Sequence, residues 1–167
     1  MEQPQLLPIT LNKQDVVYTP DWVAADMVDF FKPSGRILEP CKGDGVFLKY
    51  LSTAEWCEIQ EGRDFFAWDE HVDYIISNPP YSLFKEFLRH GISVANHVIY
   101  LVPLGIYFRA ISIMKFAWKE GWIKHIRIYG SGGSLGFPMG NPVGAVYWER
   151  DYHGDTSWSW YAPDTVK

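Results

Sequence analysis

Residues 73–82, DYIISNPPYS, place an amide, two proline rings and a phenol directly behind a short apolar run. Asn78 offers a side-chain carbonyl, and the main-chain carbonyl of Pro79 is held in direction by the fixed φ of Pro80. Two aimed acceptors suit a planar NH2 group with its two hydrogens, and Tyr81 adds a flat face on which a ring can stack. A polyproline-like turn would explain the prolines alone. It gives no reason for an apolar strand to end on Asn, at the carboxyl end where open α/β sheets keep their ligands.

A second stretch with chemical potential lies upstream. ILEPCKGDGVFL, residues 37–48, puts Glu39 at the end of a strand and Gly43 and Gly45 in the turn behind it. Glycine permits positive φ and close backbone approach, and a helix expected over residues 45–51 would offer free N–H groups to an anionic or carboxylate-bearing ligand. Leu48 stands where the dinucleotide fingerprint has its third glycine, which argues against NAD. Read by itself, the turn is equally a tight strand-to-helix connection without a ligand.

The elements that must position these groups alternate between helical and strand-like patterns, as in an α/β sheet. Thr19 and Pro20 open a helix, as cap and first residue, and Val23, Met27, Phe30 and Phe31 recur along it until Pro33 and Gly35 stop it. Strands are expected over residues 36–39, 73–77, 97–102 and 123–130. Helices are expected over 82–95, capped by Ser82, and over 109–121. A Gly- and Ser-rich loop then leads into residues 143–148, which return as a hairpin partner. Between Glu58 and Asp73 the chain is too short for a crossover helix and a further parallel strand, so the sheet is trimmed there or a strand runs as a tight hairpin. The whole chain, 1–167, reads as one domain, with an N-terminal extension over 1–18 and a tail over 149–167.

Taken together and in this order, the motifs resemble those of S-adenosylmethionine-dependent amino-methyltransferases of the class I, adenine-N6 DNA family, in a minimal form without a target recognition domain. EPCKGDG is similar to the family's cofactor motif, ISNPPYS to its catalytic motif of Asn or Asp, Pro, Pro and an aromatic, and YTPDW to the N-terminal motif that closes over the methionine end. The resemblance covers roughly residues 17–148. It implies a Rossmann-like three-layer sandwich, mostly parallel, with a C-terminal antiparallel hairpin. It also implies S-adenosyl-L-methionine as cofactor and an adenine-containing DNA, or RNA, as substrate. Carried over residue by residue, Tyr18, Thr19, Pro20, Glu39, Pro40, Gly43, Gly45 and Asn78 line the methionine side. Glu58 meets the ribose hydroxyls, and Asp64 and Phe65 of GRDFF meet the amino group and face of the adenine ring. Asn78, Pro79, Pro80 and Tyr81 form the catalytic quartet.

The quartet fits that chemistry. An exocyclic aromatic amine is a poor nucleophile because its lone pair is delocalised, and acceptors on its two hydrogens favour the pyramidal, reactive form. A sulfonium methyl is already activated, so in-line placement is the protein's main task and no base is needed before transfer. Tyr81 would stack on a base taken out of its helix or presented by a single strand.

Charge bears on the partner. The net charge of −5 divides into −8 over residues 1–88, +5 over 89–148 and −2 beyond. A basic surface is thus available on an acidic protein, and Arg109, Lys115, Lys119 and Lys124 are candidates to meet a nucleic-acid backbone, with Phe137 as a second base-covering ring. Lys115 and Lys119 equally suit a solvated helix face. The five histidines and two cysteines show no metal-ligand spacing, so no metal is expected, and the tryptophan clusters 118/122 and 158/160 read as packing. No apolar stretch approaches the ~18 residues of a membrane span, and no secretory signal is visible, so a cytoplasmic location is the expectation.

Two other functions share some of these features. Glutamine-N5 protein methyltransferases also carry NPPY, usually behind an N-terminal helical domain, and a non-catalytic methyltransferase-like subunit could use the same fold to dock. Only 19 residues follow Trp148. Sequence specificity is therefore expected to be low, or supplied by a second subunit or a homodimer.

Overall fold

The computed structural model describes residues 16–162. Strands β1 (Ile37–Glu39), β2 (Glu55–Trp56), β3 (Val72–Ser77), β4 (Ala95–Pro103), β5 (Gly121–Ser131), β6 (Pro142–Arg150) and β7 (Ser157–Trp160) form one sheet in the order β2-β1-β3-β4-β6-β5-β7. β6 runs antiparallel to β4 and β5, and the other neighbouring pairs are parallel. Helices α1 (Asp21–Phe31), α2 (Phe84–Val94), α3 (Leu104–Phe108) and α4 (Ile111–Glu120) fill in around the sheet.

Strand alternation divides the core into two layers. Ile37, Ile76, Ile99 and Leu101 face α1, which buries Val23, Ala24 and Met27 against them. Leu38, Ile75, Val98 and Tyr100 face the other way, toward Phe84, Phe87, Leu88 and Ile92 of α2 and Ala117 of α4. The result is the expected three-layer α/β architecture, with the β5–β6 pair as its antiparallel hairpin.

Several local expectations change. Residues 46–50 form turns rather than a helix, with Lys49 N donating to Gly45 O at 3.3 Å and Leu51 N to Phe47 O at 3.0 Å. β2 already begins at Glu55, so the crossover has only residues 40–54 in which to build the glycine turn and return. Phe47 and Leu51 are buried by a single irregular turn instead.

The helix caps also differ: Pro20 precedes α1 and Leu83 precedes α2, neither with a side-chain cap bond, while Thr19 is buried at 8% exposure. A 3-10 turn, Tyr81–Leu83, stands where Ser82 is expected to cap. Between Glu58 and Asp73 the sheet is indeed trimmed: two 3-10 turns, Ile59–Glu61 and Phe65–Ala67, carry the chain from β2 to β3.

β7 is a strand that hydrophobic patterning did not reveal, because its alternation is Ser-Trp-Ser-Trp. Ser157 and Ser159 bond His125 at 2.6 and 2.7 Å on one face. Trp158 and Trp160 remain 56% and 67% exposed, so they do not pack as expected, whereas Trp118 meets Trp122 edge-on at 5.2 Å. Of the N-terminal extension and the tail, residues 1–15 and 163–167 lie outside the described residues.

One polar cluster ties α1 to the sheet. Asp26 accepts from Arg127 Nε at 2.5 Å, from Arg127 Nη2 at 2.8 Å and from the Tyr129 hydroxyl at 2.7 Å. The Arg127 side chain is only 13% exposed and lies over the Phe30 ring, 4.1 Å from its centroid. Removing one partner of a largely buried pair leaves the other charge uncompensated. Asp26→Ala is therefore expected to cost about 3 kcal/mol in urea denaturation. An unchanged midpoint would show that α1 is held by its apolar face alone.

Candidate functional site

The motifs converge on one cleft at the carboxyl ends of β1 and β3. A cavity of about 390 Å³ is bounded by four segments: Val16–Tyr18, the turn at Pro40–Asp44, the loop from Glu58 to Phe66, and Asn78 with Pro80. Leu83 and Phe87 close its apolar end. A smaller cavity beside it, of about 30 Å³, is shared by Tyr18, Thr19, Gly43 and Asn78. A volume of this size suits a cofactor or substrate of a few hundred daltons.

The glycine turn works by conformation rather than by a helix end. Gly43 and Gly45 have φ of +55° and +86°, values that favour glycine. The ring of Tyr18 lies over Gly43, since a Cβ there would meet its Cε1 at 3.9 Å. No helix N-terminus stands here, and two amides are already engaged, Gly43 N with Glu58 Oε2 at 2.9 Å and Gly45 N with Lys42 O at 2.9 Å. The expected row of free N–H groups is thus corrected to a shaped turn locked by Glu58.

Glu58 and Asp64 both line the cavity. Glu58 Oε1 also accepts from Gln60 N at 3.2 Å, so each of its oxygens holds one backbone donor and keeps a further lone pair for a hydroxyl. Asp64 Oδ1 accepts from Phe66 N at 2.9 Å, which fixes the carboxylate beside Phe65. Phe65 packs on Phe87, ring centroids 5.2 Å apart, and borders the cavity while only 3% exposed.

Glu39 lies below this wall rather than on it. It is 1% exposed, and its Oε1 accepts from Cys41 N at 3.1 Å and from the Ser77 hydroxyl. Its Oε2 is buried with no hydrogen-bond partner. Burial pushes this carboxyl up to about 8, even though the Ser77 and Cys41 bonds pull in the other direction. The Cys41 thiol, 2.8 Å from Ser77 Oγ and 3.3 Å from the Asn78 carbonyl, completes the cluster, and burial pushes it well above its ordinary value. It is a packed thiol rather than a nucleophile.

Asn78 carries the sharpest geometry. Its Nδ2 donates to the Val17 carbonyl at 2.9 Å, while its Oδ1 is buried and has no partner among the described residues. That bond decides which way the carboxamide points, because a carbonyl can meet only the NH2 end. Pro79 is buried behind it. Tyr81 is half-buried against the core, and its hydroxyl is buried without a partner, so the ring lies against the protein rather than standing free.

The expected nucleic-acid residues are not gathered into one patch. Arg109, Lys115 and Lys119 are exposed, on α4 or just before it. Lys124 sits on β5, paired with Glu149 at 2.7 Å. Phe137 is only 5% exposed and packs in the α1-side layer, across the sheet from α4, because Leu135 and Val143 draw the loop inward. Sequence patterns missed Val17, Ser77, Cys41 and Phe87. Val17, Cys41 and Ser77 lie within or directly beside the motifs, whereas Phe87 lies outside them.

The mostly parallel seven-stranded sheet, its helical layers and a cleft beyond β1 and β3 define the Rossmann-like fold of the class I methyltransferases. No family model matches the chain. Type II methyltransferase M.TthHB8I of Thermus thermophilus is 28% identical, over 80% of this chain and 37% of its own. The chain thus spans little more than a third of that relative.

Among solved structures, one from Listeria monocytogenes described as a class I S-adenosylmethionine-dependent methyltransferase superimposes with a TM-score of 0.64 at 15% identity, over 94% of this chain and 69% of its own. The type I restriction-modification methyltransferase subunit from Streptococcus thermophilus has a TM-score of 0.64 at 17% identity, over 86% of this chain and 47% of its own. At these identities the structural likeness speaks for the fold. Among the described residues no helix is long and apolar enough to cross a membrane.

Proposed function

We propose that this chain is an S-adenosylmethionine-dependent methyltransferase that methylates the exocyclic N6 amine of adenine in DNA. The observation that carries the reading is Asn78 at the wall of a cofactor-sized cleft: its Oδ1 is a buried acceptor without a partner among the described residues, and its Nδ2 is held by Val17. An unpaired buried acceptor costs about 1–3 kcal/mol, and a donor brought by the substrate recovers it.

The residues fit the cofactor. Phe65, at the buried edge of the cavity, would pack on an adenine ring, Asp64 would accept from its amino group, Glu58 would meet a ribose diol, and the turn at Gly43 and Gly45 with Tyr18 above it would take the methionine end. Thr19 and Pro20 anchor that segment, and Pro40 shapes the turn. When bound, the cofactor supplies a methyl group already activated by positive sulfur. The protein then has to hold the acceptor: Asn78 Oδ1 and the Pro79 carbonyl take the two hydrogens of the amine, so that its lone pair points along the line of transfer. The amine nitrogen held there would accept the methyl group and release its extra proton to water.

Target choice rests with a second subunit or a second copy, since the Streptococcus neighbour is itself a subunit of a larger system and Arg109, Lys115, Lys119, Lys124 and Phe137 form no single reading surface. The test is transfer of labelled methyl from S-adenosylmethionine to purified DNA, RNA and a glutamine-containing protein in parallel. Label in DNA is the expected result. Label confined to protein would replace this reading with amide methylation, and failure to bind the cofactor in calorimetry would leave a non-catalytic subunit.

A further inference from the structure

The segment ahead of α1 does more than border the cleft. Val17 and Asn78 are 61 residues apart in sequence, yet the Val17 carbonyl takes the Asn78 Nδ2 at 2.9 Å. Both residues line both cavities, and the neighbouring Tyr18 rests over Gly43. We propose that the Val17 main-chain carbonyl is the positioning group of the active site: it fixes the Asn78 carboxamide with Oδ1 toward the substrate amine, and so makes this position work with an amide and not with a carboxylate. The inference rests on the proposed amine methylation and deepens it.

The chemistry is a matter of donors. An amide has one donor end and one acceptor end, so a carbonyl on one side leaves the acceptor for the other side. A carboxylate has only acceptors. Placed at 78, it would set oxygen against oxygen at Val17, beside a position where the Asn78 Oδ1 is buried. Protonation restores a donor for Val17 and an acceptor for the amine. A carboxyl here therefore mimics Asn only in its neutral form, and its affinity for the proton rises.

Other titratable groups face the same space. Tyr18 lies on the N-terminal segment, and Cys41, Lys42 and Asp44 lie on the turn with Glu39 beneath them. Glu58, Glu61 and Asp64 lie on the loop after β2, and Tyr81 follows Pro80. The cation among them, Lys42, is held by Glu61 at 2.5 Å. All of them persist in the wild type, so the ratio of variant to wild type isolates position 78.

The experiment uses Asn78→Asp in the full chain. Titration of its carboxyl carbon by NMR is expected to place the introduced group well above the ordinary carboxylate range. Its kcat relative to wild type is expected to be lowest at pH 8.5 and to recover about tenfold per pH unit toward acid, at unchanged cofactor affinity. An ordinary or lowered titration overturns the inference, as does a ratio that stays flat with pH at any level, including zero. Should the variant fail to fold, hydrogen exchange on the wild type decides. One Asn78 amide hydrogen should exchange slowly, and rapid exchange of both overturns the assignment. If the wild type transfers no methyl to DNA, the proposed function falls while the titration and exchange still decide the Val17 contact.

Discussion

Replacing Asn78 with alanine is expected to lower methyl transfer by about 10²–10³-fold, the scale seen when one preorganised polar contact to a reacting group is lost. The loss falls mainly on kcat, because the contact gains strength as the amine becomes pyramidal and positively charged. Cofactor affinity should change far less, since Glu58, Asp64 and Phe65, the residues proposed for the adenosine end, lie on another segment of the cavity. Calorimetry with S-adenosylmethionine and single-turnover kinetics on DNA separate the two effects. Full activity in Asn78→Ala would mean that the orphaned Oδ1 has no part in the chemistry. A parallel loss of binding and rate would mean that Asn78 serves the cofactor instead.

Glu39→Gln should act in the opposite sense on stability. The carboxyl sits near 8 in the fold against an ordinary value of 4.5, because burial disfavours its charged form. Below pH 4.5 both the folded and unfolded chains hold the proton, and the group has no effect on stability. Between 4.5 and 8 the unfolded chain releases the proton while the fold retains it, so stability falls by about 1.4 kcal/mol per pH unit, and above 8 the loss levels off. The glutamine variant has no proton to lose. Its stability relative to wild type should therefore rise from pH 5 to 8 in urea denaturation and then stay constant. A difference independent of pH would show that Glu39 is already ionised in the fold.

The core of this account was legible from residue order. Apolar runs at residues 37–39 and 73–77 became β1 and β3, and the motifs behind them met at one cleft because carboxyl ends of neighbouring parallel strands must meet. Glu58, Asp64, Phe65 and Asn78 all line the cavity. What could not be read were features set by chain length and long-range contact. The helix expected over residues 45–51 is an irregular turn instead, a difference that periodicity does not register. Glu39 was expected on the cleft wall, but the Ser77 and Cys41 bonds hold it beneath. Phe137 stands in a loop that reads as exposed, yet its ring joins the core. The Val17 bond to Asn78 uses a main-chain atom, and no side-chain pattern announces such a contact.

The most direct test digests DNA to nucleosides after incubation with the purified protein and S-adenosylmethionine, then resolves the methylated bases by mass spectrometry. The geometry predicts N6-methyldeoxyadenosine, absent when Asn78 is alanine. Methylation confined to cytosine, or no methylated nucleoside despite measured cofactor binding, would contradict the assignment of Asn78 and Pro79 as the clamp for the adenine amine.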